Sequence, residues 1–164
     1  MEGKVPRRRP SARVLLLDSS RRILLFRTAD ARIDAPSLWL TPGGGLESDE
    51  DYHAAALREL TEETGLVGAL LSPCVWIRRH VWRWGEEWIE SVEHFFVVQA
   101  PDGFEVSTGA FTDDERVIVK EYRWWALEEI VSAADEVFVP RRMAELLLPL
   151  VGGDLPRDPI DPGI

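Results

Sequence analysis

Residues 43–66 read GGGLESDEDYHAAALRELTEETGL, and their reading decides the fold. Pro42 and the three glycines Gly43, Gly44 and Gly45 are a strong break in regular structure. Ser48 is a good N-cap, with Asp49, Glu50 and Asp51 in the first turn, where the helix dipole favours negative charge. The spacing predicts a helix over 49–64, closed by Gly65 at its C-terminal cap. At 3.6 residues per turn, Glu59, Glu62 and Glu63 fall within an arc of about 100°. Ala56, Leu57, Leu60 and Thr64 fill the adjoining arc and pack against a sheet, so three carboxylates crowd beside the buried face.

That crowding is unfavourable. Glu59 and Glu63 are a like-charge pair four residues apart, near the helix C-terminus, where the dipole disfavours anions. Arg58 reaches Glu62 or turns back to Glu50, but one cation does not neutralise three acids. A solvated acidic face is the plain alternative, yet such faces interleave lysines and arginines. A divalent cation resolves the conflict, because Mg2+ takes carboxylate oxygens, waters and substrate phosphates. The glycines bring backbone close to the same place, with no side chain in the way.

Gly44, Glu50 and the run Arg58-Glu59-Leu60-Thr61-Glu62-Glu63-Thr64-Gly65-Leu66 resemble the Nudix box at every defining position. The resemblance implies the Nudix fold, an α/β/α sandwich around a mixed β-sheet (α+β), in which the box forms loop-helix-loop. It also implies a MutT-like pyrophosphohydrolase that depends on Mg2+, with Mn2+ fitting the same oxygen ligands. By carry-over, the metal ligands are Glu59, Glu62, Glu63 and the carbonyl of Gly43. Glu50 and Arg58 form an ion pair that holds the box together. Water attacks phosphorus, and Glu59, Glu62 or an acid outside the box takes the proton. Glu93, before His94-Phe95-Phe96, is the chosen outside acid, as base or ligand; the alternative is an exposed strand carboxylate.

Outward from the box, residues 11–17 and 22–27 read as strands of a hairpin across Asp18-Ser19-Ser20-Arg21, and 28–37 as a loop. Residues 69–83 and 88–99 read as long strands and 121–125 as a short one, with helices over 127–134 and 141–150. Asp113-Asp114-Glu115 reads as a solvated loop or a helix start. The expected organisation is an N-terminal arm over 1–10, a single domain over 11–151 and a loose tail over 152–164. Candidate substrate contacts are Trp39, Gly44, Arg27 and Arg79; for the tryptophan, packing is the alternative, and for the two arginines, surface charge. Trp82, Trp84 and Trp88 are either hairpin packing or a stacking lid.

The net charge of −10 argues against broad nucleic-acid binding and against anionic membranes, but a bound cation changes the sign locally. Cys74 is the only cysteine, which excludes an intrachain disulfide and any cluster of thiolate ligands. No apolar run suggests a membrane span or signal-peptide core, so the cytoplasm is the expected location. A homodimer is compatible with the sequence. The expected substrate is a nucleoside triphosphate or related small nucleotide. The alternatives are ADP-ribose, a dinucleoside polyphosphate or capped RNA, and a module that senses a nucleotide without cleaving it.

Overall fold

The computed structural model describes residues 4–32 and 36–164. Residues 1–3 of the expected arm, and residues 33–35 of the expected loop, lie outside the described residues. Seven strands form one sheet: β1 Arg7–Leu17, β2 Ile23–Thr28, β3 Leu38–Leu40, β4 Gly43–Gly45, β5 Trp76–Trp84, β6 Glu87–Gln99 and β7 Val119–Trp125. Four helices accompany them: α1 Tyr52–Thr64, α2 Asp113–Ile118, α3 Leu127–Ser132 and α4 Met143–Val151. The strands run β3-β2-β1-β6-β5, with β4 also paired to β1 and β7 to β2. The sheet is mixed, because β1 is parallel to β6 while its pairings with β2 and β4 are antiparallel.

β1 is buried on both faces, so its apolar residues run on without a polar alternation. Ala12, Val14 and Leu16 join Leu24, Phe26, Phe96 and Val98 beneath Ala55, Ala56 and Leu60 of α1. Leu15 and Leu17 face the other way, with Trp76, Phe95, Trp125 and the α4 residues Met143, Leu147 and Leu150. Helices thus cover both faces, giving the expected α/β/α sandwich.

Several boundaries differ from the sequence expectation. Residues 7–10 are not an arm: they extend β1, where Arg7, Arg8 and Arg9 align with Ile89, Glu90 and Ser91. α1 starts at Tyr52 rather than at 49, with Asp51 as its cap accepting from the Ala54 amide at 2.7 Å. Asp49 sits at φ 67°, and Glu50 accepts from the Glu47 amide at 2.8 Å, so 47–50 form a turn of their own. Gly65 caps α1 at φ 81°, as expected. β5 begins at Trp76, leaving 69–75 irregular.

The segment after α4 is not loose. Ile160 bridges to Trp76, and the Gly163 carbonyl accepts from Arg78 Nε at 2.9 Å. Among the described residues, no helix is long and apolar enough to cross a membrane.

Candidate active site

β4 consists of glycines because it is wedged between β1 and α1. Its partners on β1 are Ser11, Ala12 and Arg13. A side chain on Gly43, which sits at φ 148°, would overlap the Ala12 carbonyl. A Cβ on Gly44 would stand 2.5 Å from Glu59 Oε1. The close approach leaves a cavity of about 240 Å³ against the box. Arg9, Arg13, Glu59, Glu63 and Glu115 give it a polar side, while Phe26, Leu40, Ile118 and Val119 form an apolar wall.

Three carboxylates converge at its acidic side, Glu59 and Glu115 from the lining and Glu62 next to them. Glu59, Glu62 and Glu115 each offer an oxygen, and these oxygens all lie within 4.8 Å of one another. Glu115 comes from α2, where it also closes a capping box: its amide donates to Thr112 Oγ1 at 3.2 Å, and its Oε2 accepts from the Thr112 amide at 2.7 Å. The donor set is all oxygen and anionic, and burial pushes Glu59 above its ordinary pKa even though Arg58 opposes the shift. That is the chemistry of a site for Mg2+ or Mn2+, whose charge would offset the crowding.

Glu63 is buried beside the cluster but makes a different contact. It accepts from the Gly43 amide at 2.8 Å. Burial, and then the charge of Glu59, push its pKa well above the ordinary value. Arg58 ties the box together. Its Nε and Nη2 each donate to Glu50 at 2.8 Å, Nη2 reaches the Gly45 carbonyl at 3.0 Å, and Nη1 donates to Glu59 at 2.9 Å and Glu62 at 3.3 Å. The bidentate hydrogen bonds from Arg58, and then the Glu47 amide, hold Glu50 at a pKa of about 2.

Two arginines of β1 differ in their partners. Arg13 Nε donates to Glu93 Oε1 at 3.1 Å, and its Nη1 to the carbonyls of Thr41 at 3.1 Å and Gly43 at 3.5 Å. Arg9 has no hydrogen bond or ion pair among the described residues, and burial, then Arg13, lower its pKa. It is a desolvated cation on the cavity wall, four residues from Arg13 and therefore on the same strand face.

Glu93 stands apart from the carboxylate cluster. It is 5% exposed and lies between Arg13 and Arg78, whose Nη1 donates to Oε2 at 2.8 Å. Burial alone would raise its pKa, but Arg13 and then Arg78 outweigh burial and hold it below the usual range. A carboxylate with both oxygens engaged by arginines is a weak base.

Three expected substrate contacts lie elsewhere. Arg27 and Trp39 are cross-strand partners, while their neighbours Phe26, Thr28 and Leu40 line the cavity. Alternation along the strands turns the two candidates away from it. Trp39 is 1% exposed, donates from Nε1 to Glu136 at 2.9 Å, and meets Trp125 edge-on at 5.0 Å. Arg27 pairs with Glu121 at 3.5 Å, and Arg79 is exposed and outside the lining. Trp82 is spent on Ser91 Oγ at 2.8 Å, and Arg32 lies 5.1 Å over Trp84. Only Gly44 of the four substrate candidates reaches the cavity.

The sequence reading missed Arg9, Arg13 and Glu115. The spacing Arg9-x-Ser11-x-Arg13 was a legible sign of one strand face, hidden by reading 7–9 as an arm. The Thr112-x-x-Glu115 capping box marked a helix start, but nothing local tells where that helix docks.

An α/β/α sandwich that presses a glycine strand onto an acidic helix edge is the arrangement seen here; the class of protein follows from its relatives, which are hydrolases of phosphoanhydride bonds. The NUDIX domain family model matches residues 7–147, and the chain belongs to this family. It is 31% identical over 146 residues to Nudix hydrolase 25 of Arabidopsis thaliana, a match covering 82% of this chain and 81% of that one. A shorter match, 39% identical over 64 residues, joins it to an RNA pyrophosphohydrolase of Novosphingobium aromaticivorans, covering 39% of this chain and 38% of the relative. Its fold resembles the crystal structure of a MutT protein from Methanosarcina mazei Go1, with a TM-score of 0.60 at 20% identity over 88% of this chain and 93% of the other.

Proposed function

We propose that this hydrolase cleaves a phosphoanhydride in a nucleoside triphosphate or related small nucleotide, whose polyphosphate enters the cavity between Arg9 and the glutamate cluster. One observation carries the reading: Arg9, with no anionic partner among the described residues, shares a single cavity with Glu59 and Glu115. A half-buried cation without an ion-pair partner favours an anion, and a polyphosphate supplies one.

Glu59, Glu62 and Glu115 are the residues that would hold Mg2+ or Mn2+, with Glu63 and the Gly43 carbonyl beside them. When bound, the cation neutralises phosphate charge and makes water more acidic. Glu59 Oε2 and Glu62 Oε1 lie outside the hydrogen bonds of Arg58, so either is placed to take the proton of the attacking water. The water oxygen bonds to phosphorus as the bridging P–O bond breaks, and the leaving phosphate departs with the electron pair. Arg9 holds a non-reacting phosphate, and Arg58 keeps the two candidate bases in place. Phe26, Leu40, Ile118 and Val119 offer an apolar surface to the nucleoside.

The cavity is smaller than the roughly 300–1,000 Å³ of sites that engulf a whole ligand. This size favours a second reading, in which the polyphosphate end of a larger molecule enters, such as the 5′ end of RNA. The similarity of the box region to an RNA pyrophosphohydrolase supports it. Retention of Glu59, Glu62 and Glu63 counts against a module that only senses nucleotides. The test is phosphate and pyrophosphate release, with Mg2+ or with chelator, from nucleoside triphosphates, dinucleoside polyphosphates, ADP-ribose and 5′-triphosphate RNA. Cleavage confined to the RNA would replace the first reading with the second.

A further inference from the structure

We propose that Arg13, Glu93 and Arg78 form a buried positioning circuit for the glycine strand, and that the Ile160–Gly163 segment anchors it from the β5 edge of the sheet. The proposal rests on the metal-site reading above, and it gives Glu93 a role other than base or ligand.

The circuit can be followed atom by atom. The Gly43 amide donates to Glu63, while the carbonyls on either side of Pro42 accept from Arg13 Nη1. Arg13 Nε is held by Glu93 Oε1, and Glu93 Oε2 by Arg78 Nη1. Arg78 Nε then donates to the Gly163 carbonyl. That carbonyl is fixed in its turn: Gly163 sits at φ 73°, its amide donates to Asp161 Oδ1 at 2.9 Å, and Pro162 is buried. Upstream, Ile160 exchanges backbone hydrogen bonds with the strand entry, donating to the Val75 carbonyl and accepting from the Ile77 amide.

Glu93 and Arg78 side chains are only 6% and 5% exposed, and Arg13 only 15%, so their attraction is little screened. Two arginines against one glutamate leave one surplus positive charge. Arg13 carries that charge toward the carbonyls of Thr41 and Gly43, beside the amide that donates to Glu63. The circuit therefore does two things at the site. It ties down the Thr41-Pro42-Gly43 turn, firmly at the Thr41 carbonyl and at 3.5 Å from the Gly43 carbonyl, and it places a cation behind the buried carboxylate. A ligand displaced by 1 Å costs about a hundredfold in rate, so fixing this peptide matters to turnover.

The experiment compares wild type, Glu93→Gln and Gly163→Ala by kcat and KM at saturating Mg2+, Mg2+ affinity by calorimetry, and melting temperature. Gly163→Ala is the remote probe, because no atom lies within 4 Å of a Cβ there and only the turn is strained. The expected result is a roughly three- to tenfold fall in kcat with weaker Mg2+ binding and KM within about twofold. Glu93→Gln should lose about a hundredfold in kcat but keep the acidic limb of the pH profile. Gly163→Ala with wild-type kcat and Mg2+ affinity overturns the circuit, and so does loss of the acidic limb in Glu93→Gln, which would make Glu93 the base. Should Glu93→Gln fail to fold, Gly163→Ala decides alone. A wild type that neither binds Mg2+ nor cleaves anything overturns the metal-site reading instead, an outcome distinct from an active enzyme with insensitive variants.

Discussion

Glu63 accepts a hydrogen bond from the Gly43 amide at 2.8 Å, whereas the carboxylate oxygens that lie within 4.8 Å of one another belong to Glu59, Glu62 and Glu115. Glu63 is thus a buried carboxyl whose hydrogen-bond partner is a neutral amide, and ionising it there is costly. Glu63→Gln keeps an acceptor for that amide and removes the charge. In chelator, the variant should melt about 2–4 °C above wild type, equivalent to roughly 1 kcal/mol for a chain of this size. The rise in melting temperature on adding Mg2+ should shrink. A variant that melts lower in chelator would show that the charge is not a burden.

Arg9→Gln removes the cation proposed to meet a phosphate. A charge-assisted hydrogen bond contributes about 1.5–3 kcal/mol, so KM should rise roughly 10- to 100-fold. Calorimetric Mg2+ affinity should stay near wild type, since Arg9 is outside the carboxylate cluster. An unchanged KM for every cleaved substrate would remove Arg9 from the site.

Glu115→Gln tests the carboxylate that α2 brings to α1. Mg2+ affinity should fall about 10-fold or more, the usual size for a site that loses one supporting group. The capping box survives, because glutamine also accepts from the Thr112 amide. Equal Mg2+ titrations for variant and wild type would leave Glu115 as a cap only.

Gly44→Ala puts a methyl 2.5 Å from Glu59 Oε1. Glu59 or β4 must give way, and kcat should fall by about a hundredfold. Melting in chelator should drop by a few degrees, as overpacking of about 1–3 kcal/mol requires. A fully active variant would mean that Glu59 does not need its present position.

Burial lifts the pKa of Glu59, and burial together with the Glu59 charge lifts that of Glu63 further. Above the ordinary glutamate value of about 4.3, the folded protein then binds more protons than the unfolded chain. Stability of the metal-free protein should therefore fall as pH rises through the window above that value. Cation binding needs the ionised carboxylates, so it should release protons and tighten with pH across the same window. Calorimetry in two buffers of different ionisation enthalpy, at about pH 6, measures the release; none would contradict the shifts. Glu50 has the opposite sign. Its ion pair with Arg58 contributes fully above the unfolded value and is lost only as pH falls toward about 2.

The box helix was legible because its information is local. Glutamate spacing, the C-cap glycine and the Glu50–Arg58 pair all lie within 23 residues, 44–66. Long-range pairing was not legible. Arg9 read as arm because three arginines beside a proline resemble a solvated end, and only the partner strand β6 makes them a strand. Arg27 and Trp39 have the chemistry of substrate contacts, but cross-strand register puts their neighbours in the cavity instead. Glu93 stands out in the sequence as an acid before an aromatic run, but its contacts are with arginines 80 residues and 15 residues before it in the chain. Ser48 and Asp51 are equally good caps by type. What separates them is the turn that Glu47 and Glu50 make, which is held by Arg58 from the middle of the helix.

β1 carries Arg9 and Arg13 on one parity and Ala12, Val14 and Leu16 on the other, while pairing with β2, β4 and β6. Insertions and deletions in this strand are therefore counted modulo two. Losing one residue between Arg13 and Leu17 would exchange the two faces along the rest of the strand and break register with β2 and β6 at once. Losing two would keep every face and only shorten the pairing. Lineages of this chain can be expected to vary freely in the length of the 18–22 turn while holding the length of β1 fixed.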